Sequence, residues 1–225
     1  MVIRRSFRAV FFAILPIAFT VSAGSCRQVL NIEERELVAT GGSGGASPFS
    51  CETYCATIIS VCVGVNTQFS TEAACLNYCS TYPLGTEDDT IGNTLGCRLN
   101  VLKAGQAMIE PGECAAAGPA GNGACGSNCD SYCTSIMSIC PDAFETKGDC
   151  TTFCPDILSC GDYGFDPEGT TPDNPTLQCR IYHLTVAARD GISPANPTSS
   201  QALHCPHAAG EGICVHDPAA VCPAD

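Results

Sequence analysis

The sequence predicts an all-α, disulfide-rich fold: two tandem repeats, each a disulfide-stapled helical hairpin plus a third helix, joined by long irregular loops. Three observations predict it. Nineteen cysteines in 225 residues, about 8%, is the density of crosslinked exported chains. The cysteines recur at spacings of four and seven, which place side chains on one face of a helix. The spacing and neighbours of the first half then reappear 78 residues later, the mark of an internal repeat. Trp is absent and aromatics make up 7% of the chain. The apolar core is therefore thin, and crosslinks have to compensate for it.

The N-terminus reads MVIRRSFR, AVFFAILPIAF, TVSAGSC. A basic region, 11 mainly apolar residues and a small-residue run make residues 1–25 a signal peptide by pattern. The apolar run is too short to span a bilayer stably, and no later segment is apolar enough to do so. Two cleavage sites are legible. Val21-Ser22-Ala23 suits an ordinary signal peptidase, whereas Ala23-Gly24-Ser25-Cys26 resembles a bacterial lipobox, with Ala23 where leucine is usual. The lipobox is favoured. Cys26 lies 25 residues before the next cysteine, and RQVLNIEERELVATGGSGGASPFS follows it as a polar, Gly/Ser-rich tether. A lipid on Cys26 would anchor the chain. Residues 26–50 would hold the domain roughly 25–30 Å from the surface by random-coil scaling.

Formal net charge is −13. No basic stripe is available for phosphates, so nucleic acid is not expected as a partner. From Cys51 the cysteines fall into two registers, expected to span 51–126 and 127–225. The first runs CETYCATIISVC (51–62), CLNYC (75–79) and LGCRLNVLKAGQA from Leu95. The second runs CDSYCTSIMSIC (129–140), CTTFC (150–154) and LQCRIYHLTVAARD from Leu177. Each closes on two cysteines around a glycine-rich stretch.

Residues 51, 55 and 62 lie within about 40° of one another on a helix, as do 129, 133 and 140. An antiparallel hairpin joins outer to outer and inner to inner. The expected bonds are Cys51–Cys79 and Cys55–Cys75, then Cys129–Cys154 and Cys133–Cys150. A third helix, starting near Asn93 or Pro175, is expected to bond the remaining cysteine of the first helix, as Cys62–Cys97 and Cys140–Cys179. Local loops would close as Cys114–Cys125 and Cys205–Cys214, and Cys160–Cys222 would tie down the tail. Eight cysteines permit 105 pairings; this is the set the spacing favours. By parity and register, Cys26 is left for lipid.

The stapled C-x3-C hairpin resembles plant alpha-hairpinins, over about 30 residues and in architecture alone. The C-x-x-Y-C helix, CRIYHL and HCPHAAGEGIC resemble cysteine-rich repeats of exported and lipid-anchored proteins of predatory soil bacteria, of the myxobacterial type. That resemblance implies an exported repeat module and no activity. The first register departs from it, with Asn100-Val101 for Tyr182-His183 and Glu113-Cys114-Ala115-Ala116 for His204-Cys205-Pro206-His207.

All four histidines, His183, His204, His207 and His216, lie in the second register. Spacing alone carries no metal signature. The reading it favours is a buried His183 satisfied by backbone hydrogen bonds and two solvated loop histidines. The sharper alternative is a Zn or Cu site on His183, His204 and His207, brought together by the expected Cys140–Cys179 bridge. TEDD (86–89) and GDYGFDPEGTTPDN (161–174) are oxygen-rich, but neither has EF-hand spacing, and both read as solvated turns. No nucleophile elbow, zincin motif or P-loop occurs, so no enzyme is expected.

The expected role is a lipid-anchored, non-catalytic module of the bacterial cell envelope, with the outer membrane favoured and secretion as the alternative. Its rigid scaffold would present loops to an envelope or extracellular protein or a glycan. A metal-binding or redox-associated protein using the second-register histidines is the competing reading.

Overall fold

The computed structural model describes residues 48–105, 109–157 and 176–215. Residues 1–47, with Cys26 and the tether up to its last three residues, and Cys160, Cys222, His216 and the 161–174 stretch lie outside the described residues. The Cys160–Cys222 and Cys26 expectations fall there.

Serine and threonine set most of the helix starts. Ser50, Thr71, Ser127, Thr146, Thr176 and Thr198 each accept a hydrogen bond from the backbone N–H three residues on, which satisfies a donor the helix itself cannot. The helices are α1 (Cys51–Val61), α2 (Glu72–Cys79), α3 (Leu95–Gly105), α4 (Pro111–Ala117), α5 (Asn128–Ile139), α6 (Lys147–Phe153), α7 (Leu177–Ala187) and α8 (Ser199–Ala209). No β-strand forms among the described residues, where Gly123 and Gly126 pair as an isolated bridge. No described helix is long and apolar enough to cross a membrane.

Two of these helices, α4 and α8, lie where three helices per register leave irregular chain. Their signals are local. Glu113 accepts from the Glu110 N–H at 2.9 Å, and Pro111 occupies the first turn, where its missing N–H costs nothing. At α8, Gln201 accepts from the Thr198 N–H at 3.0 Å, and Thr198 accepts from the Gln201 N–H in return. Gly210 ends α8 in the left-handed conformation (φ 99°).

Eight disulfides join the described cysteines, with Cα–Cα separations of 5.5 to 5.8 Å. The hairpins close as Cys51–Cys79 and Cys55–Cys75, and as Cys129–Cys154 and Cys133–Cys150. The other expected bonds are corrected. Cys62 bonds Cys114 rather than Cys97, and Cys97 bonds Cys125. Cys140 bonds Cys205 rather than Cys179, and Cys179 bonds Cys214. The reason is the unexpected helix in each register. Cys114 and Cys205 lie within α4 and α8. Each instead bonds the cysteine at the C-terminal end of the first helix, Cys62 or Cys140.

The two registers also share a polar frame. Tyr54 Oη donates to Ala117 O and Tyr132 Oη to Ala208 O, both at 2.7 Å. Arg98 donates to Gly118 O at 3.3 Å and Arg180 to Ala209 O at 2.9 Å. A phenol and a guanidinium thus satisfy the last carbonyls of α4 and of α8. Burial raises the pKa of both phenols and keeps each a donor. Arg98 is fully buried, lies 3.9 Å above the Tyr82 ring and donates to Ser131 Oγ. Oriented dipoles and a π face take the place of a carboxylate. Tyr54→Phe or Tyr132→Phe leaves a buried carbonyl without its donor. Each is expected to cost about 1–3 kcal/mol, read as a lower urea midpoint at unchanged slope.

The apolar side chains fill one continuous core. Tyr54, Phe69, Tyr78 and Tyr82 meet edge to face at centroid distances of 5.6 to 6.3 Å. Ile136, Ile139 and Leu184 are fully buried in the other register. Between registers, Asn77 donates to Ala188 O at 2.9 Å and the Thr81 and Ser135 hydroxyls meet at 3.0 Å.

Candidate metal centre

His183 projects from α7, and His204 and His207 lie three apart on α8, so the latter two share a face. Two bridges fix the backbones that carry them. Cys140–Cys205 ties α8 to the end of α5 beside His204. Cys179–Cys214 ties the start of α7 to the turn after α8. One ring nitrogen from each of His183, His204 and His207 lies within 4.8 Å of the other two. The histidines meet through Cys140–Cys205 rather than through the expected Cys140–Cys179 bridge. His204 and His207 are helical, not loop residues. His183 does not bond to backbone; its Nδ1 lies 2.8 Å from His204 Nδ1.

The geometry of the three rings is restrictive. One proton serves the short Nδ1–Nδ1 contact, so one ring donates and the other accepts. His183 is 4% exposed. Its Nε2, and Nδ1 of His207, are buried with no hydrogen-bond partner, a state that costs about 1–3 kcal/mol per atom. Space for the third ring depends on Gly212, whose φ is 59°; a Cβ there would stand 2.9 Å from His207 Cδ2. Gly210 plays the same part for Arg180, since a Cβ at Gly210 would collide with the guanidinium.

Burial, then the neighbouring His204 and His207, lowers the His183 pKa from 6.5 to about 4. His204 is also lowered, by burial first, then by His207 and Arg189, with Asp190 opposing. These rings are neutral near pH 7 and offer lone pairs. The sign for stability follows. Between pH 6.5 and about 4 the unfolded chain binds a proton at this position and the folded chain does not. Stability is therefore full above pH 6.5 and falls as pH drops to about 4, by up to about 3 kcal/mol. Urea unfolding across that window should show the loss, and His183→Gln should remove most of its slope. Asp89 and Asp190, held below the usual carboxylate range by hydroxyl donors, lose their contribution at lower pH.

Three imidazoles form a donor set suited to Zn or Cu(II). A second group, Cys179, His183 and Cys214, also lies within 4.8 Å. Its sulfurs form a disulfide, and the oxidised protein offers no thiolate there. In the TEDD stretch, Asp89 accepts from Thr86 and Thr94 and so caps a turn.

In cysteine register the histidines correspond to Val101, Glu113 and Ala116. The first register keeps the same tyrosine, arginine and disulfide frame without any imidazole. The histidines are thus not what that frame needs in order to pack. Comparison with protein-family models, curated proteins and solved structures yields no match for this chain.

Proposed function

We propose that this protein is an exported, non-catalytic, disulfide-rigidified module that holds one Zn or Cu(II) ion on His183, His204 and His207, tethered to the cell envelope by lipid on Cys26. The observation that carries the metal reading is the convergence of three ring nitrogens within 4.8 Å. The two unpartnered buried nitrogens and the histidine-free counterpart register support it. Eight disulfides fit folding in an oxidising, extracytoplasmic compartment. The net charge of −13 favours the approach of cations.

The tether rests on the lipobox-like AGSC and the polar stretch behind it, with the outer membrane the favoured location. Intact mass of the membrane-extracted protein tests it. The expected result is a diacyl or triacyl mass increment on a chain beginning at Cys26, lost in Cys26→Ser. An unmodified chain beginning at Gly24 would refute the anchor and leave the metal site standing.

A further inference from the structure

We infer that an ion held by the three histidines keeps one coordination position for a small oxyanion from solution, with Arg189 as the cation beside it. This rests on the metal reading above and concerns what else the ion binds.

Charge gives the first reason. All three donors are imidazoles, which bring no charge to an ion they ligate, and the cluster includes no carboxylate or free thiolate. A divalent ion there retains its full charge, whereas structural zinc sites commonly spend thiolates on that compensation. Three protein donors also leave a tetrahedral ion one ligand short. The burial of the rings sets where that position points. His183 is buried and forms the floor, whereas His204 and His207 are only partly buried. The open position therefore faces outward, on the α8 side.

The second reason is the group that stands there. Ser200 precedes His204 by four residues, one turn back on the same face of α8. The Ser200 hydroxyl accepts from Arg189 Nη2 at 3.1 Å and donates to Asp190. Arg189 Nε also meets Asp190 Oδ1 at 3.2 Å. The guanidinium is thus held on Ser200, which lies one helical turn from His204, with its side chain 47% exposed. An arginine and a carboxylate, Arg189 and Asp190, therefore stand together at that distance. Asp190 offsets the arginine and leaves the charge of the ion uncompensated. An incoming carboxylate or phosphate oxygen would meet the ion and a planar donor together, an arrangement guanidinium groups recognise well.

The test uses the intact chain loaded with Co(II), whose visible absorption reports coordination, titrated with inorganic phosphate, acetate and, as a control, chloride. Millimolar phosphate or acetate should shift the spectrum saturably, and chloride should do so less. Arg189→Gln should weaken the oxyanion effect about tenfold with Co(II) affinity unchanged. A Co(II) spectrum indifferent to both oxyanions would overturn this inference and leave metal binding intact. Failure of Co(II) to bind would overturn both. An oxyanion shift unaltered in Arg189→Gln would remove the arginine from the account.

Discussion

Reduction of the disulfides is expected to unfold the protein at neutral pH without denaturant. The bonds close separations of 17 to 65 residues. Each stabilises by about 2–4 kcal/mol in the chain-entropy picture, though not additively. A domain of this size is stable by only about 5–15 kcal/mol. Losing even half of the bonds therefore exceeds what the core supplies. That core is built of short helices, seven to twelve residues long, of a length that is marginal alone in water. Far-UV circular dichroism before and after a phosphine reductant checks this; retention of the helical signal would show the core to be sufficient. Single bonds should rank by separation. Removing Cys140–Cys205, at 65, should cost more than removing Cys133–Cys150, at 17. It should also cost metal binding, because that bond anchors α8 beside His204.

His183→Ala is expected to lower metal affinity by well over a hundredfold, more than the roughly 10–100-fold that loss of an outer-shell partner costs. His183 forms the floor of the cluster and is the one ring that comes from α7. Without it, His204 and His207 remain as an i, i+3 pair, a weak chelate. The fold should survive, since the corresponding position in the first register is Val101 and the frame around it is intact. His183→Val is the companion variant, which fills the space and keeps the lost donor as the only change. Fluorescent-chelator competition with Zn(II) and Cu(II) reads both. Wild-type affinity should be higher for Cu(II) than for Zn(II), as expected for nitrogen donors.

The all-helical class and the two hairpins were legible because helix periodicity acts directly on cysteine spacing. A four-residue step places Cys51 and Cys55 on one face, and antiparallel packing then fixes their partners. The long-range bonds were not legible, because they depend on α4 and α8. Those helices start with a Pro in the first turn or a Pro-rich approach, and α8 carries Pro206 inside it. Such composition reads as loop unless the Glu110–Glu113 and Thr198–Gln201 capping pairs are weighed. With Cys114 and Cys205 on helices, their partners are Cys62 and Cys140, at the end of the first helix of each register. The histidine cluster was half legible. The four-residue step from Cys179 to His183 set its face, but the partner helix that brings His204 and His207 was read as chain. The buried Arg98 and Arg180 left a signal of their own, a Cys-Arg pair repeated at Cys97 and Cys179. The carbonyls they cap, with the Tyr82 ring and Ser131 beside Arg98, explain why a charge sits in the core.

Isothermal titration of Zn(II) into the EDTA-treated, oxidised protein decides whether the three histidines hold an ion. One ion per chain at submicromolar affinity is expected, lost when His183, His204 and His207 are replaced together by alanine, with the circular dichroism unchanged. No heat of binding at micromolar zinc, or equal binding by the triple variant, would contradict it.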